Sequence, residues 1–277
     1  MMRAVVFIIS VLFVFAVSAE NIYESSDSVR LEQLMRKMQC FDGEKTLFAA
    51  RCFLGVPYVA GTLDQGVEEP LVINTREFDC TTFVESVAAA VLAVERGDAT
   101  FAAFCRWLEC LRYRGGVRNG YESRLHYISE WVADAGIKAI MDEVYTTLHT
   151  AVQHLNLDFM SKHPSSYPRL MNDSSMVEKI AAFEQPFRGV DVSYIPKELL
   201  DCAPEALPIA DGDIIALVTA IDGLDVSHVG FAFWRDGKLS LLHASSSEGM
   251  VVADSRTLYE YMKGKKNHLG IRVFRLR

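Results

Sequence analysis

The sequence has no dense block of lysine and arginine, and it lacks the short motifs of several common enzyme classes. It contains no GxSxG elbow, no phosphate-binding loop, no CxxC pair and no HExxH motif. These absences argue against a serine hydrolase with that elbow, a nucleotide-binding enzyme and a zinc site, so we expect no metal or other cofactor. The 28 basic residues are outnumbered by 36 acidic ones, which gives a net charge of −8. Because phosphate binding depends on clustered cations, we expect no nucleic-acid partner.

The longest apolar stretch lies at the N-terminus. Arg3 is followed by 14 mostly apolar residues, and Val17 and Ala19 occupy the small-residue positions that a signal peptidase reads. A membrane-spanning helix needs roughly 20 apolar residues, so this stretch is too short for a comfortable anchor. We predict that residues 1–19 form a signal peptide and that the protein is periplasmic or secreted, without stable membrane insertion. Without Arg3, 27 basic residues face 36 acidic ones, a net charge of −9.

Six cysteines in an exported protein would suggest disulfide bonds, but their placement does not favour a disulfide framework. Cys105 and Cys110 are five positions apart on a predicted helix, where they would point about 140° away from each other. The other cysteines are scattered along the chain. If Cys80 stays free, five remain, so at least one more is unpaired.

The hydrophobic pattern changes from a helical period to an alternating one along the chain. Helices are predicted at 28–39, 44–55, near and after Cys80, 101–111, 124–135 and 173–183. Strands are predicted at 213–220, 227–234, 238–245, 249–254 and 270–277, with a helix at 256–264. Helices first and an antiparallel sheet last indicate an α+β fold. We predict a single domain, 20–277, in which 98–210 is a helical and loop-rich insertion.

A predicted hairpin in this sheet converts sequence spacing into geometry. Asp236-Gly237 is the strongest short signal for a two-residue turn, which would place Arg235 opposite Lys238. Counting back from that pair places His228 and His243 on one face of the sheet as diagonal neighbours, roughly 7–8 Å apart. A three-residue bulged loop would instead put them on opposite faces, so the inference depends on the turn.

The residues around His228 differ between the two faces of this strand. Gly230 and Ala232 share the face of the histidine and are small, whereas Val229, Phe231 and Phe233 alternate with them on the other face. We therefore expect the helix that follows Cys80 to pack closely against the small residues, with the larger residues in a different apolar layer.

Cys80 lies where this helix begins, but the sequence allows two starting points. Asp79 could cap a helix that starts at Cys80, whereas Thr82 and Glu85 spell a capping box for a helix that starts two residues later. In both cases the thiol lies at the positive end of the helix dipole. Together with a nearby imidazolium, this position would lower the pKa of the thiol and make it nucleophilic.

These spacings allow a catalytic set. Cys80 would be the nucleophile, His228 the base that takes its proton and later protonates a leaving amine, and His243 the group that orients His228. The alternative is that Cys80 is a small buried apolar residue, which is the commoner role of a lone cysteine.

Several motifs together resemble a known family. "GVPYVAG", "FDCTTFVE", "SHVGFAF" and "LLHASS" resemble the NlpC superfamily of cell-wall cysteine hydrolases, whose fold is papain-like. "YRGGVRNGYESRLHYISEW", "MSKHPSSYPRL", "YIPK" and "GLDVSHVG" resemble one branch, the N-acetylmuramoyl-L-alanine amidase-like proteins of the AmiA type. The resemblance runs from about Leu47 to the end of the chain. It implies an antiparallel sheet packed on a helix that carries the catalytic cysteine, preceded by extra helices.

The resemblance also implies an activity and a set of residues. The substrate would be a muropeptide or peptidoglycan fragment, cut between N-acetylmuramic acid, or its 1,6-anhydro form, and the L-alanine of the stem peptide. Cys80, His228 and His243 match the catalytic positions of the superfamily. Tyr58 matches a tyrosine that lines such sites, and its hydroxyl could stabilise the oxyanion together with the Cys80 backbone N–H. Cys80 and His228 are 148 residues apart, an unusually long separation that fits an inserted segment.

Further substrate-binding residues are expected beside these positions. Asp79, Thr81 and Ser227 flank the nucleophile and the base in their motifs. Arg124, with His126, could bind a carboxylate of the stem peptide, because arginine offers a two-pronged donor. Alternatively, Arg124 is a solvated arginine on the face of a helix and has no role in substrate binding.

Two other functions fit the same residues. A cysteine endopeptidase would use the same three side chains to cut within the stem peptide. A non-catalytic cell-wall binding protein would keep Cys80 inert. We expect a monomer in each case.

Overall fold

The computed structural model of the chain describes residues 20–64, 68–146, 150–202 and 204–277. Within these ranges the α-helices are α1 (Ser25–Gln39), α2 (Lys45–Arg51), α3 (Cys80–Glu95), α4 (Phe101–Arg112), α5 (Ile128–Ile137), α6 (Phe159–Lys162), α7 (Ser174–Glu184) and α8 (Leu258–Met262). None of these described helices combines the length and the apolar character that a membrane span requires. The predicted signal peptide, residues 1–19, lies outside the described residues.

Most of these helices start where a side chain caps the first turn. The capping side chains accept hydrogen bonds from first-turn backbone N–H groups, which would otherwise lack partners. They are Glu44 for α2, Asp79 for α3, Thr100 for α4, Asp173 for α7 and Thr257 for α8.

α5 starts later than the predicted boundary at residue 124. Residues Tyr121–Ser123 form a short 3₁₀ turn, and Arg124 has an extended backbone that bridges to Tyr113. The backbone of Arg124 is therefore committed to a strand-like contact, and the helix begins only at Ile128.

The strands form one eight-stranded sheet in the described part of the chain. They are β1 (Met141–Glu143), β2 (Ala151–Asn156), β3 (Arg188–Pro196), β4 (Ile214–Thr219), β5 (Val226–Arg235), β6 (Lys238–Ser245), β7 (Met250–Thr257) and β8 (His268–Leu276). Their order is β2-β3-β8-β4-β5-β6-β7, with β1 also paired to β8, and neighbouring strands run antiparallel. The predicted α+β class with an antiparallel sheet is confirmed, and β4–β8 correspond to the five predicted strands.

The middle of the chain, 98–210, contributes both helices and strands, and its description as a helical and loop-rich insertion stays a prediction. α4 and α5 pack in the main core, and three strands, β1, β2 and β3, come from this segment. β3 joins the sheet through the pairs Ile195–Ile271 and Pro196–Gly270. Most of β3 is exposed, and it pairs along most of its length with β2, from Ala151–Tyr194 to Asn156–Arg188, before its last two residues reach β8.

Helices α1 to α5 cover one face of the sheet, and α3 lies within that layer. Its residues from Thr82 to Val94 are buried. The Phe83 ring meets the Phe231 ring of β5 edge-on at 5.6 Å, and Val229 and Phe233 belong to the same core cluster. The buried part of α3 is thus held against the large apolar residues of β5.

This arrangement contradicts the predicted docking face. We expected α3 to pack against Gly230 and Ala232, but Ala232 belongs to the core on the other face, which α8 covers. At Gly230, an added Cβ would lie 2.8 Å from the Cβ of His243 and 2.9 Å from the Leu242 carbonyl oxygen. The missing side chain therefore makes room for His243 on the neighbouring strand, and the helix packs on the phenylalanine face because more apolar area is buried there.

A buried ion pair joins α3 to α4. Arg112 donates from Nε to Oε2 of Glu85 at 2.7 Å and from Nη1 to the Val72 carbonyl at 2.8 Å. The two side chains are 2% and 3% exposed. Glu85 is therefore a structural partner of Arg112 and does not cap α3.

Candidate active site

Cys80 is the first residue of α3. Of the two predicted starting points, the structure has the one capped by Asp79, whose Oδ1 accepts from the Thr82 N–H at 2.7 Å. In return, the Asp79 N–H donates to the Thr82 hydroxyl at 3.0 Å. The Cys80 N–H lies in the first turn, where no helical carbonyl can accept it. All six cysteines are free thiols.

The hairpin of β5 and β6 has the predicted two-residue turn. Asp236 and Gly237 both have positive φ, 53° and 71°, and Arg235 pairs with Lys238. Positive φ at both central positions is the requirement of a type I′ turn, which matches the twist of the strands. This register carries back along the ladder to the two histidines.

The two imidazoles are in direct contact. His228 Nε2 lies 2.6 Å from His243 Nδ1, and the rings meet at 85° with their centroids 4.8 Å apart. Because Nε2 of His228 faces His243, Nδ1 is the nitrogen left to serve another group. His243 is fully buried, so its orientation is fixed by its surroundings.

Cys80 and His228 line the same cavity of about 130 Å³. α3 contributes Cys80 and Thr81, and the start of β5 contributes the wall from Val226 to Val229. The opposite wall comes from the middle segment, with Leu125, His126, Tyr127, Ile128 and Trp131. The structure thus brings the first two predicted catalytic residues to one small, largely apolar space.

The pKa of the Cys80 thiol is shifted in the opposite direction to the one that its position at a helix start predicts. Burial, together with the Asp79 carboxylate, raises the pKa of Cys80 to about 11, although N–H groups of Val229 and Thr81 act against that shift. Burial lowers the pKa of His228 to about 3, and nearby His243 acts in the same direction. The thiol is therefore protonated and the imidazole neutral near pH 7. Desolvation outweighs the hydrogen bonds that favour the thiolate here.

Tyr58 lies close to this site, where an isolated bridge joins it to Phe78, two residues before Cys80. Burial and the neighbouring Cys80 and Asp79 raise the pKa of the Tyr58 phenol to about 12. The hydroxyl therefore keeps its proton at neutral pH and can donate a hydrogen bond.

The three flanking residues have different settings. Thr81 lines the cavity, and its hydroxyl is 4.0 Å from the Cys80 sulfur. Ser227 lines the cavity as an exposed residue, at a position where the β4–β5 register shifts. Asp79 caps α3 and also borders a second, more open cavity of about 540 Å³. Their roles in substrate binding stay predictions.

Arg124 borders the second cavity, but its donors already have partners. Nε and Nη2 donate to Glu69 at 2.9 and 2.8 Å, and Nη1 donates to Asp64 at 3.0 Å. A substrate carboxylate would have to compete with these two side chains. The predicted carboxylate contact of Arg124 therefore stays a prediction that the internal ion pairs do not favour.

His126 borders both cavities. Its Nε2 lies 3.1 Å from the Tyr121 carbonyl oxygen, and burial lowers the pKa of the ring to about 3. A neutral ring that donates Nε2–H to that carbonyl cannot pair with a carboxylate as a cation. His126 is therefore a wall residue between the two cavities.

Two further side chains lie at the site, and only Asp254 was missed in the sequence; Trp131 was expected in the core or lining a sugar groove. Trp131 lines the Cys80 cavity, and its indole Nε1 is buried without a hydrogen-bond partner in the described structure. Asp254, on β7, faces the far side of His243 at 3.5 Å. Asp254 falls in the predicted strand 249–254, two residues after Val252, which pairs with His243. Because residues two apart share a face of a strand, this alternation could have placed Asp254 on the side of His243.

Comparisons with known proteins find a family and several related structures. The model of the AmiA-like family, described as N-acetylmuramoyl-L-alanine amidase-like, matches residues 48–271. A Bacteroides uniformis structure described as an N-acetylmuramoyl-L-alanine amidase is 41% identical, with a TM-score of 0.79 over 84% of this chain and 98% of that one. Another from the same organism is 39% identical, with a TM-score of 0.78 over 88% and 99%.

A more distant structure extends the likeness of the fold. A Legionella pneumophila protein is 21% identical, with a TM-score of 0.67 over 91% of this chain and 94% of that one, which shows a shared fold alone. Among curated proteins, none matches the sequence.

Proposed function

The chain belongs to the N-acetylmuramoyl-L-alanine amidase-like family of peptidoglycan hydrolases, and on this premise we propose that it is a cysteine amidase. It cleaves the amide between N-acetylmuramic acid, including the 1,6-anhydro form, and L-alanine of the stem peptide. Cys80, His228 and His243 form its catalytic set. The proposal includes a papain-like fold of the NlpC superfamily.

One observation supports this proposal above the others. Cys80, at the start of α3, and His228, on β5, line one cavity although 148 residues separate them. His228 also contacts His243 at 2.6 Å. A thiol, a neutral base and a group that orients the base are the parts of a nucleophilic acyl-transfer site. A buried structural cysteine would need none of them.

The first step is attack on the amide. The Cys80 sulfur forms a bond to the lactyl carbonyl carbon as its proton passes to Nδ1 of His228. Because the resting thiol is protonated and the imidazole is neutral, this transfer accompanies the attack. The negative charge that develops on the carbonyl oxygen can be met by the Cys80 N–H and the Tyr58 hydroxyl.

The second and third steps release the products. The carbon–nitrogen bond breaks as His228 returns its proton to the alanine nitrogen, so the stem peptide leaves as a free amine and a thioester remains on Cys80. Water then adds to the thioester carbonyl and gives its proton to His228. The carbon–sulfur bond breaks, N-acetylmuramic acid leaves with a free carboxyl group, and the thiol regains its proton from His228.

The first residues of the chain suggest where the enzyme acts. Export through residues 1–19 would place the enzyme in the periplasm or outside the cell, as a monomer that acts on muropeptides. Soluble fragments are the preferred substrate, because an exported enzyme with free access to its own sacculus would endanger the cell. Rapid clearing of intact sacculi by the pure protein would contradict this preference.

The proposal is tested by weighing products. The purified protein, a Cys80→Ala variant and a Cys105→Ala control are incubated with a defined anhydro-muropeptide and analysed by mass spectrometry. We expect intact stem peptide and free 1,6-anhydro-N-acetylmuramic acid from the wild type and the control, and neither from Cys80→Ala. A cut within the peptide would indicate an endopeptidase, and no cut by the wild type would refute the hydrolase mechanism.

A further inference from the structure

A carboxylate lies behind the histidine pair. Asp254 is 4% exposed, and its Oδ2 is 3.5 Å from Nε2 of His243, on the side of the ring away from His228. That distance is longer than a hydrogen bond, and Nε2 of His243 has no other hydrogen-bond partner in the described structure. A buried ring nitrogen without a partner therefore faces a buried carboxylate.

The position of this carboxylate is fixed by Arg256. Asp254 Oδ1 accepts from the Arg256 N–H at 2.9 Å and from Nε at 3.0 Å, and Oδ2 accepts from Nη2 at 2.8 Å. Burial acts to raise the pKa of Asp254, but the hydrogen bonds and charge of Arg256 outweigh it and lower the pKa. An ionised carboxylate can only accept hydrogen bonds.

These contacts determine the protons on both imidazoles. A neutral His243 that faces an anion through Nε2 carries its proton on Nε2, which leaves Nδ1 as an acceptor. The 2.6 Å contact then requires a proton on Nε2 of His228. A neutral His228 with its proton on Nε2 has a bare Nδ1, the nitrogen that must receive the Cys80 proton.

We infer that Asp254 is a positioning residue that acts through His243 to hold His228 in the tautomer able to deprotonate Cys80. The inference rests on the proposed function for its kinetic consequence only. The proton positions stand apart from any activity.

The other charged or titratable groups around His243 cannot take this role. Arg256 on β7 and Lys265 after α8 are cations that lower the pKa of His243. Tyr261 on α8 meets the His243 ring edge-on, with centroids 5.4 Å apart, and its raised pKa keeps the phenol neutral. His268 on β8 lies beyond Tyr261, with ring centroids 6.1 Å apart. Asp254 is the anion in this described group.

Asp254→Asn tests the inference because it keeps the shape and changes one acceptor into a donor. Arg256 donates two hydrogen bonds to Oδ1 and one to Oδ2, so the amide oxygen is favoured at the Oδ1 position, where one bond is lost rather than two, and the NH₂ group turns towards His243. His243 would then accept at Nε2 and donate from Nδ1, and the proton of His228 would move to Nδ1. With a proton on Nδ1, His228 could not accept the proton of Cys80.

The matched control is Asp213→Asn. Asp213 is a carboxylate with 2% side-chain exposure that is also held by an arginine, Arg275, away from the histidines. Both variants weaken an ion pair between a buried carboxylate and an arginine. Only Asp254→Asn also changes the group that faces His243. Unfolding in urea shows how far the two variants are destabilised alike.

The first readout is the ¹⁵N chemical shifts of the imidazole nitrogens in the full-length protein, assigned with His228→Asn and His243→Asn. In the wild type we expect protons on Nε2 of both rings, and in Asp254→Asn a shift of each proton to Nδ1. A wild-type His243 with its proton on Nδ1, or unchanged shifts in Asp254→Asn, would overturn the inference.

The second readout is kcat/KM for stem-peptide release between pH 6 and pH 10. Asp254→Asn should lose at least about 100-fold near pH 7, the scale of general-base catalysis, with kcat affected more than KM. The loss should shrink as pH rises, because a thiolate needs no base.

An equal loss in Asp213→Asn, or a loss that does not depend on pH, would overturn the inference. If the wild type releases no peptide, the proposed function fails and the proton positions remain tested by the first readout.

Discussion

The alkylation rate of Cys80 should rise steeply with pH, because its thiol is protonated in the resting protein. With a pKa of about 11, the thiolate fraction at pH 7 is about 10⁻⁴, roughly 100-fold below that of a thiol with the ordinary value of 9.0. Only the thiolate reacts with iodoacetamide. The rate constant should therefore increase about tenfold for each pH unit between pH 7 and pH 10.

The sign follows from the cause of the shift. Burial and the Asp79 carboxylate disfavour the negative thiolate, so they move the titration to higher pH. His228, whose pKa is lowered to about 3, is neutral throughout this range and supplies no positive charge. Replacing His228 by asparagine should then leave the pH dependence of alkylation almost unchanged, even though it abolishes hydrolysis.

The assay is timed labelling with iodoacetamide, followed by digestion and mass spectrometry of the peptide that contains Cys80. Cys40 is exposed and serves as a reference thiol in the same molecule. A rate that is fast and flat from pH 5 to pH 8, and that falls when His228 is replaced, would refute the reasoning. Such a result would mean that the resting site holds a thiolate beside an imidazolium.

Two further predictions concern the scaffold that positions the site. Arg112→Met should lower the free energy of unfolding in urea by about 3–5 kcal/mol, because it leaves the buried Glu85 without its partner. Gly230→Ala should lower both stability and stem-peptide release, because the new Cβ would lie 2.8 Å from the Cβ of His243. We expect about 1–3 kcal/mol from that overpacking, measured by the same unfolding curves.

Each scaffold prediction has a control. Replacing Glu85 by leucine together with Arg112→Met removes both charges, and this pair should recover much of the stability lost by the single variant. An equal loss in the double variant would contradict the ion-pair explanation. Gly249→Ala adds the same atom in open space, at a positive φ of 70°. Its loss of stability therefore measures backbone strain without overpacking. Gly230→Ala must affect activity more than this control does.

The sequence was most informative where the structure depends on neighbouring residues. Asp79 fixes the start of α3 through one side-chain contact with Thr82, three residues away. Asp236-Gly237 fixes the β5–β6 register through its own backbone angles. From that turn, the shared face of His228 and His243 follows by counting.

The sequence was least informative where distant segments meet. The face of β5 that receives α3 was predicted wrongly, because small residues can accommodate either a helix or a neighbouring side chain, and only packing decides between them. The ion pairs of Arg124 with Glu69 and Asp64 span 55 and 60 positions. β3 carries only a short apolar–polar alternation, from Val190 to Tyr194, and most of it is exposed, so its place in the sheet depends on β2 and β8.

The sequence by itself thus determined the candidate nucleophile, the histidine pair and the class of the fold, because caps, turns and hydrophobic periods act over a few residues. The tertiary structure decided that Cys80 and His228 share a cavity, that Asp254 lies behind His243, and that burial raises the pKa of the thiol. These features depend on burial and on contacts across the sheet, and free energies of desolvation and packing are properties of the assembled core that no short stretch of sequence contains.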